Sequence, residues 1–296
     1  MSARTDVSFD VDGTTVRGWH YRPTAPRGTV VVMAHGLGGT RDAGLEPFAA
    51  RFADEGHDVL LFDYRHFGAS GGEPRQLLSI GRQLADWGAA VDHALTLPGI
   101  TAGRVVLWGT SFSGGHVVTT AARRPEVGAV VALVPMVDGF AAVRKVVEYA
   151  GVGAVARLTA LGVADVVRSA VGGAPVTMPV YAEQGEVAGL ASHDSARYGQ
   201  MVPADYRNEM TTRVALTLAS YRPARHARSL RCPVLLQACM RDTVVDPHAT
   251  LRLAERAGEH VIARRYPYGH FDTYVGEPRE EVLGDAVSFL DQVLPA

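Results

Sequence analysis

The fold is decided by one stretch of sequence, Val105-Val106-Leu107-Trp108-Gly109-Thr110-Ser111-Phe112-Ser113-Gly114-Gly115. Its first part is apolar on both faces, which predicts a parallel strand covered on two sides. Its last part predicts the beginning of a helix. A serine at the apex of such a strand-to-helix turn is strained and exposed, so its hydroxyl can attack a substrate. Ser111 is therefore the candidate nucleophile.

The register of this motif favours Ser111 over Ser113. The turn needs small residues two positions before and after the nucleophile, because the backbone is crowded there. Gly109 fills the first place, whereas Ser113 stands where G-x-S-x-G has glycine. For Ser113 as nucleophile, the position before would hold Ser111. A glycine-rich turn with incidental serines is the alternative reading of the motif alone.

Apolar runs alternate with helical patterns along much of the chain, which predicts a mostly parallel sheet with helices on both faces. The Asp12-Gly13 pair predicts a hairpin between strands at 7–11 and 15–19, and hence an antiparallel edge. Further strands are expected at 29–34, 58–62, 104–108, 128–134, 234–238 and 263–266. Helices are expected at 44–55, 77–97 and 282–293.

One long stretch breaks the alternation. From Asp138 to Arg228 the pattern is helical and shows no convincing central strand. We therefore expect a helical cap at 138–228, inserted into a core formed by 1–137 and 229–296. The apolar face of this cap either packs on the sheet or lines an acyl-binding pocket. The run 151–156 has the form G-x-G-x-x-A, but it follows a helical pattern instead of a strand, which argues against dinucleotide binding.

A nucleophilic serine needs a base and an acid that orients the base. His270 follows the last predicted strand, and Asp242 follows the strand after the cap, so both are expected at the same sheet edge as Ser111. The chain order Ser, Asp, His is one of the known triad orders. Asp272, close to His270, and Asp138, just after a strand end, are rival acids.

Other polar residues near predicted strand ends have candidate roles. The loop His35-Gly36-Leu37-Gly38-Gly39 follows the first central strand, and its glycines allow backbone N–H groups to point at a bound oxygen. We interpret Asp63 and Arg65 as a structural pair that braces a loop. The pair His193-Asp194 could reach a substrate from the cap, and Cys239 reads as a buried apolar residue.

Together, the loop after His35, the segment 63–70, the turn at Ser111, the Asp242 loop and Gly269-His270-Phe271 resemble an α/β-hydrolase-fold serine hydrolase over about residues 10–294. The chain is most similar to esterase-like, dienelactone-hydrolase-like and acyl-transferring members with helical caps. The departures are Ser113 and His66, which stand where such loops commonly have glycine.

The resemblance implies a role for each matching residue. Ser111 would attack a carbonyl carbon, His270 would take its proton, and Asp242 would hold the other imidazole nitrogen. The backbone N–H groups of Leu37 and Phe112 would form the oxyanion hole. The expected activity is cleavage of a carboxylic ester or thioester with an apolar acyl part. An acyltransferase or a C–C bond hydrolase could use the same triad. A catalytically silent binding protein is less favoured, because no triad member is missing.

Composition excludes several other classes. The 296 residues are 47% hydrophobic and 20% charged, which is ordinary for a globular protein, and a net charge of −2 gives no electrostatic case for nucleic acid or an anionic membrane. The longest apolar run, 127–137, is too short to span a bilayer. The only lysine, Lys145, is outside any P-loop pattern. The cysteines and histidines show no metal-ligand spacing.

The expected ligand is thus a small acyl substrate, with no cofactor, metal, nucleic acid or membrane, and a homo-oligomer is left open. The N-terminal residues show no apolar signal segment, and the only two cysteines form no C-x-x-C pair. A cytoplasmic location is the expectation that follows.

Overall fold

An eight-stranded mixed sheet positions the site, in a computed structural model that describes residues 3–295. Its strand order is β1-β2-β4-β3-β5-β6-β9-β10, and β7 and β8 form a separate antiparallel pair. The strands are β1 (Ala3–Val11), β2 (Thr14–Arg22), β3 (Val30–Ala34), β4 (Asp58–Phe62), β5 (Val105–Thr110), β6 (Val127–Leu133), β7 (Thr177–Met178), β8 (Met210–Thr211), β9 (Val234–Cys239) and β10 (Val261–Tyr266).

The strands follow the predicted pattern. Every residue of β3, β4 and β5 is buried, as the two-sided apolar runs predict, and these strands pair in parallel. The hairpin is confirmed: β1 pairs antiparallel with β2, and β2 antiparallel with β4. Asp12 and Gly13 both have positive φ, 51° and 76°, as a type I′ turn requires.

Helices pack on both sides of this sheet, as the alternation predicts. Their bounds are α1 (Glu46–Asp54), α2 (Ile80–Ala94), α3 (Phe112–Ala121), α4 (Gly139–Ala170), α5 (Ala215–Leu218), α6 (Pro247–Ala257) and α7 (Gly276–Val293). Helix α6 is not among the helices predicted above. Its signal is Asp246-Pro247: the Asp246 side chain accepts a hydrogen bond from the His248 N–H, and proline opens the first turn.

Residues 138–228 lie between β6 and β9 and begin with the long helix α4. Asp138 caps its N-terminus by accepting from the N–H groups of Phe140 and Ala141. At Gly151 the backbone leaves the helical region, with φ 80° and ψ 169°, so α4 is two helices joined by a break. Most of the chain from 171 to 214 consists of turns and 3-10 helices instead of the expected regular helix, because glycine and proline recur there.

Helix α4 is unusual in its exposure. Among residues 3–295 it is the helix that is long and apolar enough to cross a membrane, judged by length and composition alone. Only 11% of its most apolar 18-residue window is buried. The core helices of the protein show the opposite behaviour; for example, all ten residues of α3 are buried. The apolar surface of α4 therefore calls for an explanation other than packing in the core.

Candidate active site

Ser111 stands at a strained turn between β5 and α3. Its backbone has φ 56° and ψ −119°, a conformation that residues with side chains rarely adopt. Two backbone hydrogen bonds hold this turn: the Ser111 N–H donates to Leu133 O at 2.9 Å, and Ser111 O accepts from the Met136 N–H at 2.8 Å. A Cβ at Gly109 would lie 2.5 Å from the Ser113 carbonyl oxygen, so only glycine fits there. The turn has the geometry expected of a nucleophile elbow.

Ser113, the departure from the usual glycine, is fully buried and faces the core. Its Oγ accepts a hydrogen bond from Tyr64 Oη at 3.2 Å, and Tyr64 Oη in turn accepts from Trp87 Nε1 at 2.8 Å. This chain of hydrogen bonds offsets the cost of burying a hydroxyl. Ser113 therefore belongs to the packing of the domain, whereas Ser111 lines the cavity described below.

The structure brings Ser111, His270 and Asp242 together. His270 Nε2 lies 3.0 Å from Ser111 Oγ, and His270 Nδ1 lies 2.6 Å from Asp242 Oδ2. The other oxygen of Asp242 accepts from the N–H groups of Val244 and Val245, at 2.7 and 2.8 Å. Asp242 follows the end of β9 and His270 follows β10, so the sheet edge positions both side chains. These contacts are those of a base that a fixed carboxylate orients.

Neither rival acid contacts the imidazole of His270. Asp272 accepts from the Gly269 N–H at 2.8 Å and pairs with Arg197. Asp138 caps α4 and pairs with Arg222 at 2.8 Å. Both carboxylates are thus occupied by structural partners.

The loop after β3 passes close to Ser111. A Cβ at Gly36 would lie 3.1 Å from Ser111 Cβ. The Gly36 carbonyl accepts a hydrogen bond from Nδ1 of His35 at 3.0 Å, and burial lowers the pKa of His35 to about 4, so this imidazole is neutral at pH 7. Because the N–H of Leu37 belongs to the same trans peptide, it points away from that carbonyl. The His35 contact therefore fixes the direction of the Leu37 N–H.

Phe112 supplies the second predicted donor. It is the first residue of α3, and backbone N–H groups in the first turn of a helix have no acceptor within the helix. Its N–H follows Ser111 directly in the chain, while Leu37 shares a cavity wall with Ser111. The two N–H groups predicted for an oxyanion hole thus lie on backbone segments next to the nucleophile.

Two tyrosines of the 138–228 segment hold the loop after β3 from outside. Tyr206 Oη donates to the Gly38 carbonyl at 2.7 Å, and Tyr198 Oη donates to the Leu37 carbonyl at 3.5 Å. Burial raises the pKa of both hydroxyls, so both keep the proton that they donate. Neither residue was predicted from the sequence, because single tyrosines in an irregular segment carry no periodic signal.

The cavity at Ser111 is small and enclosed. Its volume is about 10 Å³, roughly the room that one water molecule needs. Ser111 is 8% exposed and His270 1%. The 138–228 segment contributes Leu190, Tyr198 and Met201 to the lining. In this conformation the cavity is too small to hold an acyl group.

The predicted pair of Asp63 and Arg65 is wrong, because each residue braces the loop through another partner. Asp63 accepts from the N–H groups of Arg41 and Ala69, and its carboxylate lies 3.5 Å from the Arg41 guanidinium. Arg65 is buried against Asp86, with Nε 2.5 Å from the carboxylate. Burial raises the pKa of Asp63 to about 6.

The remaining candidates are structural or exposed. The His193 side chain is 82% exposed and contacts Asp194 at 3.3 Å. Cys239 is buried, and burial raises the pKa of its thiol. His66 has a positive φ of 74°, a backbone conformation that glycine adopts most easily. Residues 3–295 contain no group of three or more His, Cys, Asp or Glu side chains that could hold a metal ion.

Comparisons with known proteins show which family the chain resembles. Residues 24–271 match the family model described as serine aminopeptidase, S33. The chain is 40% identical over 297 residues to the quorum-quenching protein AidA of Acinetobacter baumannii, covering 99% of this chain and 96% of that protein. It is 27% identical over 298 residues to the polyketide transferase af380 of Aspergillus fumigatus, covering 97% of each.

A solved structure of similar fold is the α/β-hydrolase GrgF from Penicillium sp. sh18. The TM-score is 0.85 at 23% identity, and the match covers 99% of this chain and 100% of that one. This likeness concerns the fold, which the sequence analysis predicted. From the family match and the fold we conclude that the chain belongs to the α/β-hydrolase superfamily of serine hydrolases, in the family described as serine aminopeptidase S33.

Proposed function

We propose that the protein cleaves a carboxylic ester or thioester with an apolar acyl part, through an acyl-enzyme on Ser111. The observation that carries this proposal is the continuous hydrogen-bonded chain from Ser111 Oγ through His270 to Asp242. This chain opens onto a cavity whose walls include Leu190, Met201 and other apolar side chains.

In the first half of the proposed reaction, Ser111 Oγ attacks the carbonyl carbon while His270 Nε2 takes the hydroxyl proton. Asp242 stabilises the imidazolium that forms. The N–H groups of Leu37 and Phe112 donate to the negative oxygen of the tetrahedral intermediate. Loss of one such donor typically costs about 10²–10³ in rate, or roughly 3–4 kcal/mol.

In the second half, the intermediate collapses, His270 protonates the leaving alcohol or thiol, and the acyl group stays on Ser111. Water then enters, gives a proton to His270 and attacks the acyl carbon. The bond between the acyl carbon and Ser111 Oγ then breaks, and His270 returns the proton to Oγ, which gives the free acid and the regenerated serine. No step in this sequence uses a metal or cofactor.

The 138–228 segment acts in this proposal as a cap that opens to admit substrate and closes for the chemistry. The closed cavity of about 10 Å³ is too small for an acyl chain, so opening is a required step. On closing, Tyr206 and Tyr198 hold the carbonyls of the loop that carries the Leu37 N–H. Closure thus shields the site from bulk solvent and holds the oxyanion loop in place at the same time.

A substrate panel tests the proposed activity. Purified protein is incubated with p-nitrophenyl esters of increasing acyl length, acyl thioesters and lactones. The name of the quorum-quenching relative supports including small signal molecules with such bonds. We expect turnover that increases with the apolar length of the acyl group and that Ser111→Ala abolishes. Folded protein that turns over no ester, thioester or lactone would overturn the proposal.

Acyl transfer is the second candidate, because a relative that covers 97% of the chain is named a polyketide transferase. Transfer would use the same acyl-enzyme with an alcohol or amine in place of water. Mass spectrometry of the products in the presence of candidate acceptors separates the two reactions. If only free acid forms, transfer to those acceptors is excluded.

A further inference from the structure

The second half of α4 presents an exposed apolar face. Residues 152–170 follow the break at Gly151 and form a helix of about 28 Å at 1.5 Å per residue. In this half only Gly162 and Asp165 are buried. Of the nine exposed large apolar side chains in residues 3–295, five belong to 152–171, with Val152 at 71%, Val163 at 50% and Val167 at 58% exposed. Apolar surface concentrated in this way marks an interaction site.

Eight of the twelve exposed positions in 152–170 form a stripe, which we call the α4 seam. At about 100° per residue they cover an arc of about 120°, and none is charged. Two seven-residue repeats, 152/159/166 and 156/163/170, run along it. A repeat of seven keeps one face of a helix on a partner helix over several turns. The seam consists of Val152, Ala156, Thr159, Ala160, Val163, Val166, Val167 and Ala170, all exposed.

The α4 seam is also complementary to itself. When two copies are laid antiparallel with a two-fold axis at residue 161, position 152 faces 170, position 156 faces 166, and position 159 faces 163. Val152 then meets an alanine, Ala156 meets a valine, and Thr159 meets a valine. Large side chains opposite small ones let two helices approach closely. A two-fold interface requires such self-complementarity.

We propose that the α4 seam binds the α4 seam of a second copy of this chain, as an antiparallel, two-fold helix pair. Helices that lie on membrane surfaces carry Trp, Phe or Leu on one face and many basic residues on the other. Residues 152–170 contain no aromatic residue, and their only basic residues are Arg157 and Arg168. The small residues of the seam therefore suit a helix as partner better than a lipid surface.

The size of the seam predicts a weak dimer. A strip about 28 Å long and about 12 Å wide covers roughly 340 Å² per copy, against about 800 Å² in a standard interface. Leu216, which is 40% exposed and lies next to Gly162, and Val171 at the end of the helix extend the apolar area. We therefore expect a dissociation constant in the micromolar range.

The charges on the flank make the association distinctive. Arg157 and Arg168 lie on the same side of the seam, and neither forms an ion pair with any residue in 3–295. A two-fold axis perpendicular to the helix places these arginines of both copies on one side of the helix pair, where they point away from the contact. Salt screens the remaining long-range repulsion between them, so the dimer should not weaken as salt increases. Binding to an anionic lipid surface, in contrast, would weaken as the salt concentration increases.

Sedimentation equilibrium from 1 to 200 µM protein, at 50 and 500 mM NaCl, tests the dimer. We expect a micromolar dissociation constant that does not rise at high salt and that increases at least tenfold in Val163→Glu, which places two carboxylates near the axis. Ala164→Glu, an exposed neighbour outside the seam, should not weaken the dimer. Circular dichroism checks that both variants fold. A monomer at every concentration, or a dimer that Val163→Glu leaves unchanged, overturns the proposal.

Two further measurements test whether the two helices are antiparallel and whether the partner is a second copy or a lipid surface. Val152→Cys with Ala170→Cys should cross-link between copies on mild oxidation, whereas Val152→Cys alone should not, because antiparallel helices keep residue 152 far from its counterpart. Cross-linking of the single variant would contradict the antiparallel arrangement. Flotation with phosphatidylcholine–phosphatidylglycerol vesicles that Val163→Glu abolishes would show that a lipid surface, and not a second copy, covers the seam.

Discussion

Asp242 Oδ2 accepts a hydrogen bond from His270 Nδ1 at 2.6 Å, while the backbone N–H groups of two valines occupy Asp242 Oδ1. Only Oδ2 of this carboxylate is therefore available to the imidazole, which it holds in one orientation. Asp242→Asn would offer an amide that can stabilise the wrong tautomer of His270. We expect kcat to fall by about 10³–10⁴ in steady-state assays with the best ester of the panel.

The rival carboxylates serve as matched controls for this variant. Asp272→Asn and Asp138→Asn remove the same charge from groups that do not touch His270. We expect kcat to stay within about tenfold of the unmodified protein for both. A fall in Asp272→Asn as large as in Asp242→Asn would mean that the orienting acid is assigned wrongly.

Tyr206 provides a test of the coupling between the cap and the oxyanion loop. Tyr206→Phe removes the hydroxyl that donates to the Gly38 carbonyl at 2.7 Å and keeps the ring. The loop loses a tether but no oxyanion donor, so we expect kcat to fall by about 5–20-fold, less than the loss of a donor itself. Tyr181→Phe is the control, since its ring stacks on Tyr206 and its hydroxyl makes no hydrogen bond within residues 3–295. Equal rates in both variants would refute the coupling.

The strained backbone of Ser111 predicts a gain of stability when the residue is replaced by glycine. At φ 56° and ψ −119° a side chain costs of order 1–3 kcal/mol, whereas glycine adopts this region freely. Ser111→Gly should therefore be more stable than Ser111→Ala by about 1 kcal/mol in urea denaturation, while both are inactive. A less stable glycine variant would show that the turn is unstrained.

His116 predicts a loss of stability in acid. Burial lowers its folded pKa to about 3, from about 6.5 when unfolded, so below pH 6.5 the unfolded chain binds a proton that the folded chain does not. The free energy of unfolding therefore does not depend on His116 above pH 6.5. As pH falls below 6.5, His116 lowers this free energy by up to about 1.4 kcal/mol per pH unit. Other buried groups also change the slope of stability against pH, in both directions, so a variant is needed to isolate the contribution of His116.

His116→Gln isolates that slope. Glutamine can keep hydrogen bonds to Gln83 and Tyr221 but cannot titrate. The free energy of unfolding is measured by urea denaturation from pH 6 to 4.5, and the variant should lose stability less steeply than the unmodified protein. The exposed His193→Gln is the control. Parallel pH profiles for His116→Gln and the unmodified protein would contradict a neutral, buried His116.

Local pattern predicts the sheet well because its strands are buried on both faces. The run 58–62 is a strand with the predicted bounds, and positive φ at Asp12 and Gly13 follows from the turn that joins two twisted strands. Chain order and strand ends also place Ser111, Asp242 and His270 at one edge. These features depend on residues close together in sequence or on the topology of parallel strands.

Contacts between distant segments cannot be predicted from local sequence patterns. The partner of Asp63 is Arg41, and the partner of Arg65 is Asp86, because packing of the loop decides which side chains meet. Tyr198 and Tyr206 come near the oxyanion loop only through the irregular path of residues 171–214. The apolar face of α4 is visible in the sequence as helical periodicity, but its exposure is a property of the folded chain.

The most direct test of the central claim is the site of covalent labelling by a fluorophosphonate probe. Intact-mass spectrometry should show one adduct on the unmodified protein, one on Ser113→Ala and none on Ser111→Ala, with peptide mapping to Ser111. Undiminished labelling of Ser111→Ala, or an adduct that maps to another residue, would contradict the account of this protein as a hydrolase that acts through Ser111.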